Sequence, residues 1–462
     1  MKKIVTLTLC LAALLILTAC TFNSKESSKN VIVSPSSKNI SGTGQDAKEI
    51  TVDDLVNTLT DEEKCWMNLS SQQYLDDFDT LYKELQDNYP YFGILRRKHG
   101  IDLDAIYNLY RPQIIACKND YDFWKLLQSF ISELKYTGHI ETWGTRYSFE
   151  VESLQSFILD YPEYKESMTP YLKKLDNPVS KANYQSMKQF YSKMQQKADN
   201  MNSGIEPSSD NTFDTMIESE AEKNVTTDIL EEGAIAYVKI NAFDMDTYKG
   251  DKALLYSFYK KVNNYSHLII DISENGGGGM DYFNNLVVAP LANQIYEVTC
   301  LLLAKDGENN KYFLNIPQGL KEGNWKPISN LPALPHLNQD DLSELNYFME
   351  ETYKVEPNSN GFKGRIWLLV SPNNYSSSEY SAMFSKQSGF ATLVGERTGG
   401  DGIGVDPAYI ILPNSGIVIQ YSPIYGITRD GRNSEEFGTE PDYNMKEGEK
   451  PLDACLRVIK ES

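Results

Sequence analysis

Three segments of this 462-residue chain place hydrogen-bonding or reactive groups where a strand gives way to a helix or a loop. The first runs from Asp271 to Gly279 and ends in four consecutive glycines. Such a loop leaves backbone N–H groups free and lets a ligand approach the main chain closely. A phosphate cradle would need a following Gly-Lys-Ser/Thr, which is missing, so a site for a developing oxyanion suits the loop better. The second runs from Ser371 to Glu379 and carries Ser376, Ser377 and Ser378 between an apolar strand and a helix. A serine there has its hydroxyl exposed at a positive helix end, and the next N–H can donate to an oxyanion; the same serine also serves as a plain helix N-cap. The third, Val394 to Gly404, is a second glycine-rich loop after a strand. Its glycines fall in the wrong order for a dinucleotide site.

A serine nucleophile needs a base, and the chain offers only four histidines, His99, His139, His267 and His336. The formal charge of −20 argues against nucleic acid as a partner, because phosphate affinity rests on clustered lysine and arginine. Cys65, Cys117, Cys300 and Cys455 lie at wide spacings that fit no zinc pattern, and the motifs call for neither metal nor cofactor.

The elements that must position these groups fall into two halves. From Val52 to about Leu134 the apolar residues recur at three to four, as in Leu75, Phe78, Leu81 and Leu85, which predicts helices broken before Pro90. From 148 to 225 the chain is polar and lysine-rich, with helices over Tyr164–Lys174 and Ala182–Ala198 and an exposed loop over 202–211. After Thr226 short apolar strands (234–240, 267–272, 365–370, 391–394) alternate with helices (248–262, 280–289, 376–386), which predicts an α/β domain. The stretch between Thr299 and Asn360 reads as loops, on its prolines and glycines. The expected layout is a signal peptide over 1–19, a flexible tether over 20–50, a helical domain over 51–147, a helical cap over 148–225 and a catalytic domain over 226–462.

The N-terminus is basic, then apolar from Ile4 to Leu17, and ends in Leu-Thr-Ala-Cys at Cys20. That pattern is a secretory signal and resembles the bacterial lipobox. It implies acylation of Cys20 and attachment to the outer face of a bacterial membrane through lipid. Of the other cysteines, Cys65, Cys117, Cys300 and Cys455 are free either to pair or to stay as buried thiols.

Taken together, the three glycine and serine segments resemble the S41 serine peptidases, the tail-specific or C-terminal-processing group that also holds the tricorn core proteases. The glycine-loop motif of that family is matched by Asp271, Asn275, Gly276, Gly277 and Gly278, with Ser273 and Glu274 as departures. The nucleophile motif Ser-x-x-Glu falls on Ser376 and Glu379. The following motifs fall on Gly395, Glu396, Thr398 and Gly400, and on Gly438, Pro441 and Asp442. Phe78 to Tyr91 looks like the helical lead-in of the tricorn-like branch. The resemblance implies a ClpP/crotonase-like ββα superhelix behind an N-terminal helical domain.

It also implies roles. Where serine–lysine members carry their lysine this chain has Asp401, so a serine–lysine dyad is excluded. The tricorn-like branch takes a histidine from the N-terminal half, and His139 alone combines a helix end, a preceding glycine and the right relative position. The implied site is therefore Ser376 as nucleophile and His139 as base, with Glu435 (Glu436 as its neighbouring competitor) orienting the histidine. Gly277, Gly278 and Ser377 would supply the oxyanion N–H groups. Gly138 stands where the family has a serine, so the bridge from the glutamate must differ or use water. The expected activity is endopeptidase cleavage of a peptide or protein substrate, without a PDZ domain. Two rival readings fit the same residues: an inactive peptide-binding lipoprotein on the same fold, and a non-peptidase serine hydrolase.

Overall fold

The computed structural model describes residues 50–202 and 223–461. The signal peptide, Cys20, most of the tether and nearly all of the 202–211 loop lie outside the described residues.

Thirteen strands can be numbered in chain order: β1 Glu141–Thr142, β2 Val225–Glu231, β3 Ile235–Ile240, β4 His267–Asp271, β5 Tyr296–Ala304, β6 Lys326–Pro327, β7 Tyr347–Val355, β8 Arg365–Val370, β9 Thr392–Gly395, β10 Ala408–Ile411, β11 Val418–Tyr421, β12 Tyr425–Ile427 and β13 Tyr443–Asn444. The main sheet has the order β13-β9-β8-β4-β3-β2. It is parallel from β13 to β3, and β2 closes one edge antiparallel. β4 and β8 are buried on both faces (Leu268, Ile269, Ile270; Trp367, Leu368, Leu369), which is why they read as unbroken apolar runs rather than as alternation. All their C-terminal ends point the same way, so the loops after β4, β8 and β9 meet at one edge. Those are the three chemistry-bearing segments.

The helices expected around these strands are present. Tyr248–Val262 has the expected bounds, and the nucleophile segment leads into Ser377–Ser388. The expected helix after the glycine loop begins at Met280 but continues through a wider turn over Asn284–Val288 to Leu291. In the N-terminal half Ser71–Asn88 is stopped by Pro90, and Leu103–Ile115 and Asp120–Glu133 pack on it. Capping sharpens these starts: Ser70 and Gln73 form a reciprocal box, and Asn119 accepts from the N–H of Asp122. The cap region forms Tyr147–Asp160, Lys165–Leu175 and Pro178–Asn202.

The 299–360 stretch corrects the expectation of loops. β5 and β7 are nine-residue antiparallel partners, flanked by β12 and β6 in a second sheet. β7 is only half buried: Glu350 and Lys354 lie on its exposed face, and Glu351 interrupts the face that carries Tyr353 and Val355, which hides the pattern. A third small sheet, β1-β11-β10, joins the halves, with β1 contributed by the N-terminal region. Cys65, Cys117, Cys300 and Cys455 are unpaired thiols, and the last three are buried.

Candidate active site

Ser376 stands immediately before Ser377–Ser388, with φ 58° and ψ −128°. A residue with a Cβ rarely adopts positive φ, at a cost on the order of 1–3 kcal/mol. The turn is held there by its surroundings. Ser376 N–H donates to Gly400 O (3.1 Å), Asn374 Nδ2 donates to Asn275 O (3.0 Å), and Ser378 Oγ donates to the same carbonyl (2.7 Å). The serine turn is thus bolted to both glycine loops.

The first of those loops needs its glycines. Gly277 and Gly278 have φ 130° and 127°, and a Cβ on Gly278 would lie 2.2 Å from Phe243 O. A Cβ on Gly277 would lie 3.2 Å from that of Ser376, so the loop passes directly beside the nucleophile. Of the expected oxyanion donors, Gly277 is corrected: its N–H is already given to Asn275 Oδ1 at 2.8 Å. The N–H groups of Gly278 and Ser377 have no protein acceptor among the described residues. The departures at Ser273 and Glu274 lie off the site. Ser273 bonds Asp271 (2.6 Å), and the exposed Glu274 pairs with Lys239.

His139 arrives from the N-terminal half. After Asp120–Glu133 the chain turns through Lys135, Tyr136, Gly138 and His139, all at positive φ. The loop is sewn to the C-terminal half. Ser422 N–H donates to Gly138 O (2.6 Å), Gln420 Nε2 to His139 O (3.3 Å), and β1 pairs with β11. The imidazole is 4% exposed, and its Nδ1 lies 2.6 Å from Asp401 Oδ2. Its Nε2 is buried and has no hydrogen-bond partner among the described residues. Ser376, His139 and Asp401 line one small cavity of about 40 Å³. The other histidines are elsewhere: His99 and His336 are exposed, and His267 accepts from Trp367 Nε1 (3.2 Å).

Asp401 is the residue that sequence reasoning missed as a partner. In the sequence it marks only the place where serine–lysine members carry their lysine. The loop Gly395–Gly404 turns beneath Ser376 and delivers this side chain at φ 55°, where Tyr91 Oη donates to its other oxygen (3.0 Å). Glu435, expected to orient the histidine, sits one layer further out. Its Oε2 accepts from Tyr375 Oη (2.8 Å) and lies 3.5 Å from Gly138 N, while Oε1 faces Lys98 at 3.6 Å. Burial and then the Asp401 carboxylate push the Glu435 carboxyl up to about 7. Glu436 is engaged with Arg97 (2.7 Å) and is removed from the histidine. A Cβ on Gly138 would lie 2.4 Å from the Tyr91 ring, so a serine at this position has no room, and Glu435 meets the histidine loop at Gly138 N.

Residues 234–445 match the model of Peptidase family S41, and residues 70–132 match that of the Tricorn protease C1 domain. The C-terminal half of the chain belongs to peptidase family S41. As an S41 member it is a serine-type peptidase with a mixed α/β fold behind a helical N-terminal region. Similar solved structures include one from Parabacteroides merdae described as a peptidase, at 18% identity over 85% of this chain and 97% of that one, with a TM-score of 0.49. Mature CPAF complexed with lactacystin is similar at 12% identity over 85% and 97%, TM-score 0.49. A lipoprotein from Streptococcus agalactiae is similar at 13% identity over the same shares, TM-score 0.43. No curated protein matches the chain. The S41 match spans the glycine loop, the serine turn, Asp401 and Glu435, whereas His139 lies outside both matched segments.

Proposed function

We propose that the protein is an extracytoplasmic, membrane-anchored serine endopeptidase in which Ser376 and His139 form the catalytic couple and Asp401 orients the histidine. The observation that carries this reading is the pair of environments on one imidazole. Nδ1 is held by a carboxylate, Nε2 has no hydrogen-bond partner among the described residues, and the residue lines the same cavity as Ser376. A carboxylate on Nδ1 fixes the tautomer with its proton there and leaves Nε2 as the acceptor.

In the reaction, Nε2 takes the Ser376 hydroxyl proton as Oγ bonds to the scissile carbonyl carbon. The charge that develops on the carbonyl oxygen falls to the N–H groups of Gly278 and Ser377, the second at the positive end of Ser377–Ser388. Asp401 stabilises the imidazolium. Nε2 then returns its proton to the leaving amine, and water, deprotonated in the same way, releases the acyl group from Ser376.

A serine-reactive phosphonate with mass mapping tests the couple. Labelling should fall on Ser376, and casein hydrolysis should be lost in Ser376→Ala and in His139→Ala. Full proteolysis in His139→Ala would sink the base assignment, and cleavage of short-chain esters but not casein would move the reading to a non-peptidase hydrolase. Anchoring is supported by the lipobox-like ending at Cys20. Cys20→Ser should release the chain from the membrane fraction, and unchanged retention would refute a lipid anchor there.

A further inference from the structure

The inference rests on Ser376 acting in a peptidase site and concerns what that site selects. Beyond the reacting residues, the cavity is lined by Met280, Tyr380, Val405 and Pro407, and by one further acidic residue, Asp406. Asp406 is 7% exposed, and its Oδ2 is buried with no hydrogen-bond partner among the described residues. Tyr171 Oη donates to its backbone carbonyl (3.3 Å), which anchors the residue and leaves its carboxyl untouched. The proposed reaction has no use for this group, since Asp401 already holds His139.

A buried carboxyl without a donor is costly, and native structures seldom keep one without a reason. Here the cost is compounded. Asp281 is also buried and already takes the Tyr164 hydroxyl, and no cation is paired with either group among the described residues. Burial, and then the charge of Asp281, push the Asp406 carboxyl well above the ordinary carboxylate range. A cation entering the cavity would relieve both terms. Lysine meets a buried carboxylate as a compact ammonium at the end of a flexible stem. The apolar walls suit a hydrocarbon stem.

We infer that the pocket beside Ser376 takes a lysine side chain of the bound peptide, with Asp406 as the carboxylate that meets its ammonium. Lysine should therefore be preferred over norleucine, which has the same stem without the charge, at one of the two residues flanking the scissile bond.

Calorimetry on the full chain carrying Ser376→Ala tests this with uncleaved hexapeptides bearing lysine or norleucine at each flanking position. At one position lysine should bind at least about tenfold more tightly. Adding Asp406→Asn should bring the two within about twofold while norleucine binding is retained, which reports an intact pocket. Should Asp406→Asn lose norleucine binding as well, the same ratio on Asp406→Ala decides by the same criterion. A ratio within twofold at both positions before Asp406 is changed, or a ratio that survives its removal, would overturn the inference. Hydrolysis by the unsubstituted chain tests the peptidase reading separately. Lysine selectivity in binding without cleavage would leave the pocket and sink that reading; cleavage without lysine preference would do the reverse.

Discussion

Asp401 and Glu435 flank the same histidine loop, both buried, and differ in the atom they reach. Only Asp401 meets the imidazole, at 2.6 Å, while Glu435 ends on Tyr375 and near Gly138 N. Asp401→Asn would present an amide donor to Nδ1 and favour the tautomer whose Nε2 carries the proton, so kcat should fall on the order of 10³–10⁴-fold. Glu435→Gln keeps the shape and should cost less than about tenfold. Steady-state assays on both variants check this, and the opposite ranking would return the orienting role to Glu435. Glu379 behaves differently. Burial raises its carboxyl from 4.5 to about 8, although Thr439 donates to Oε1 at 2.7 Å. The folded chain then keeps a proton that the unfolded chain releases, so this contribution to stability is whole below about pH 4.5 and is lost as pH climbs to about 8. Glu379→Gln should flatten the decline of Tm between pH 5 and 8, measured by calorimetry; an unchanged slope would contradict it. Ser376, His139 and the glycine loop were legible as residue types in ordered motifs. Asp401 was not, because a carboxylate's partner is decided by where a loop closes, and nothing local to Gly400-Asp401-Gly402 announces a histidine from the far half of the chain.

At the scale of elements, the site is made by loops after three adjacent parallel strands, and its precision comes from close backbone approach. Gly278 shows this best. At φ 127°, with Phe243 O where a Cβ would go, Gly278→Ala cannot be absorbed by a side-chain rotation. It should destabilise the fold by roughly 2–4 kcal/mol and abolish turnover by moving an oxyanion N–H. Urea unfolding and a kcat measurement check both, and a variant of normal stability and activity would show the loop to be pliant. The same elements explain what the sequence hid. β4 and β8 announce themselves because burial on both faces leaves only apolar residues. β7 does not, since its outer residues are charged and its partner β5 lies beyond an irregular stretch that contains Pro317, Gly319, Pro327 and Pro332.

Across the whole molecule, the two halves share a core rather than merely touching. Phe78, Phe130 and Leu134 belong to the same apolar cluster as Val238, Leu268 and Tyr421. Polar ties run the same way. Asp77, fully buried in Ser71–Asn88, accepts the N–H groups of Asn414 (2.8 Å) and Ser415 (2.8 Å). Asp77→Ala would strand both donors and should lower stability by roughly 2–4 kcal/mol. A single denaturation transition shifted to lower urea is the expected result, whereas two transitions would mean that the halves unfold independently. The joint has one more consequence, through the order in which its parts are made. His139 is synthesised early, and Ser376, Asp401 and β11, which fixes the histidine loop, come late. With the proposed couple, a nascent chain that has emerged only through its first half therefore holds a base with no nucleophile. Cutting power is withheld until the last strands close over the first helices, and completion of the fold is itself the safety catch.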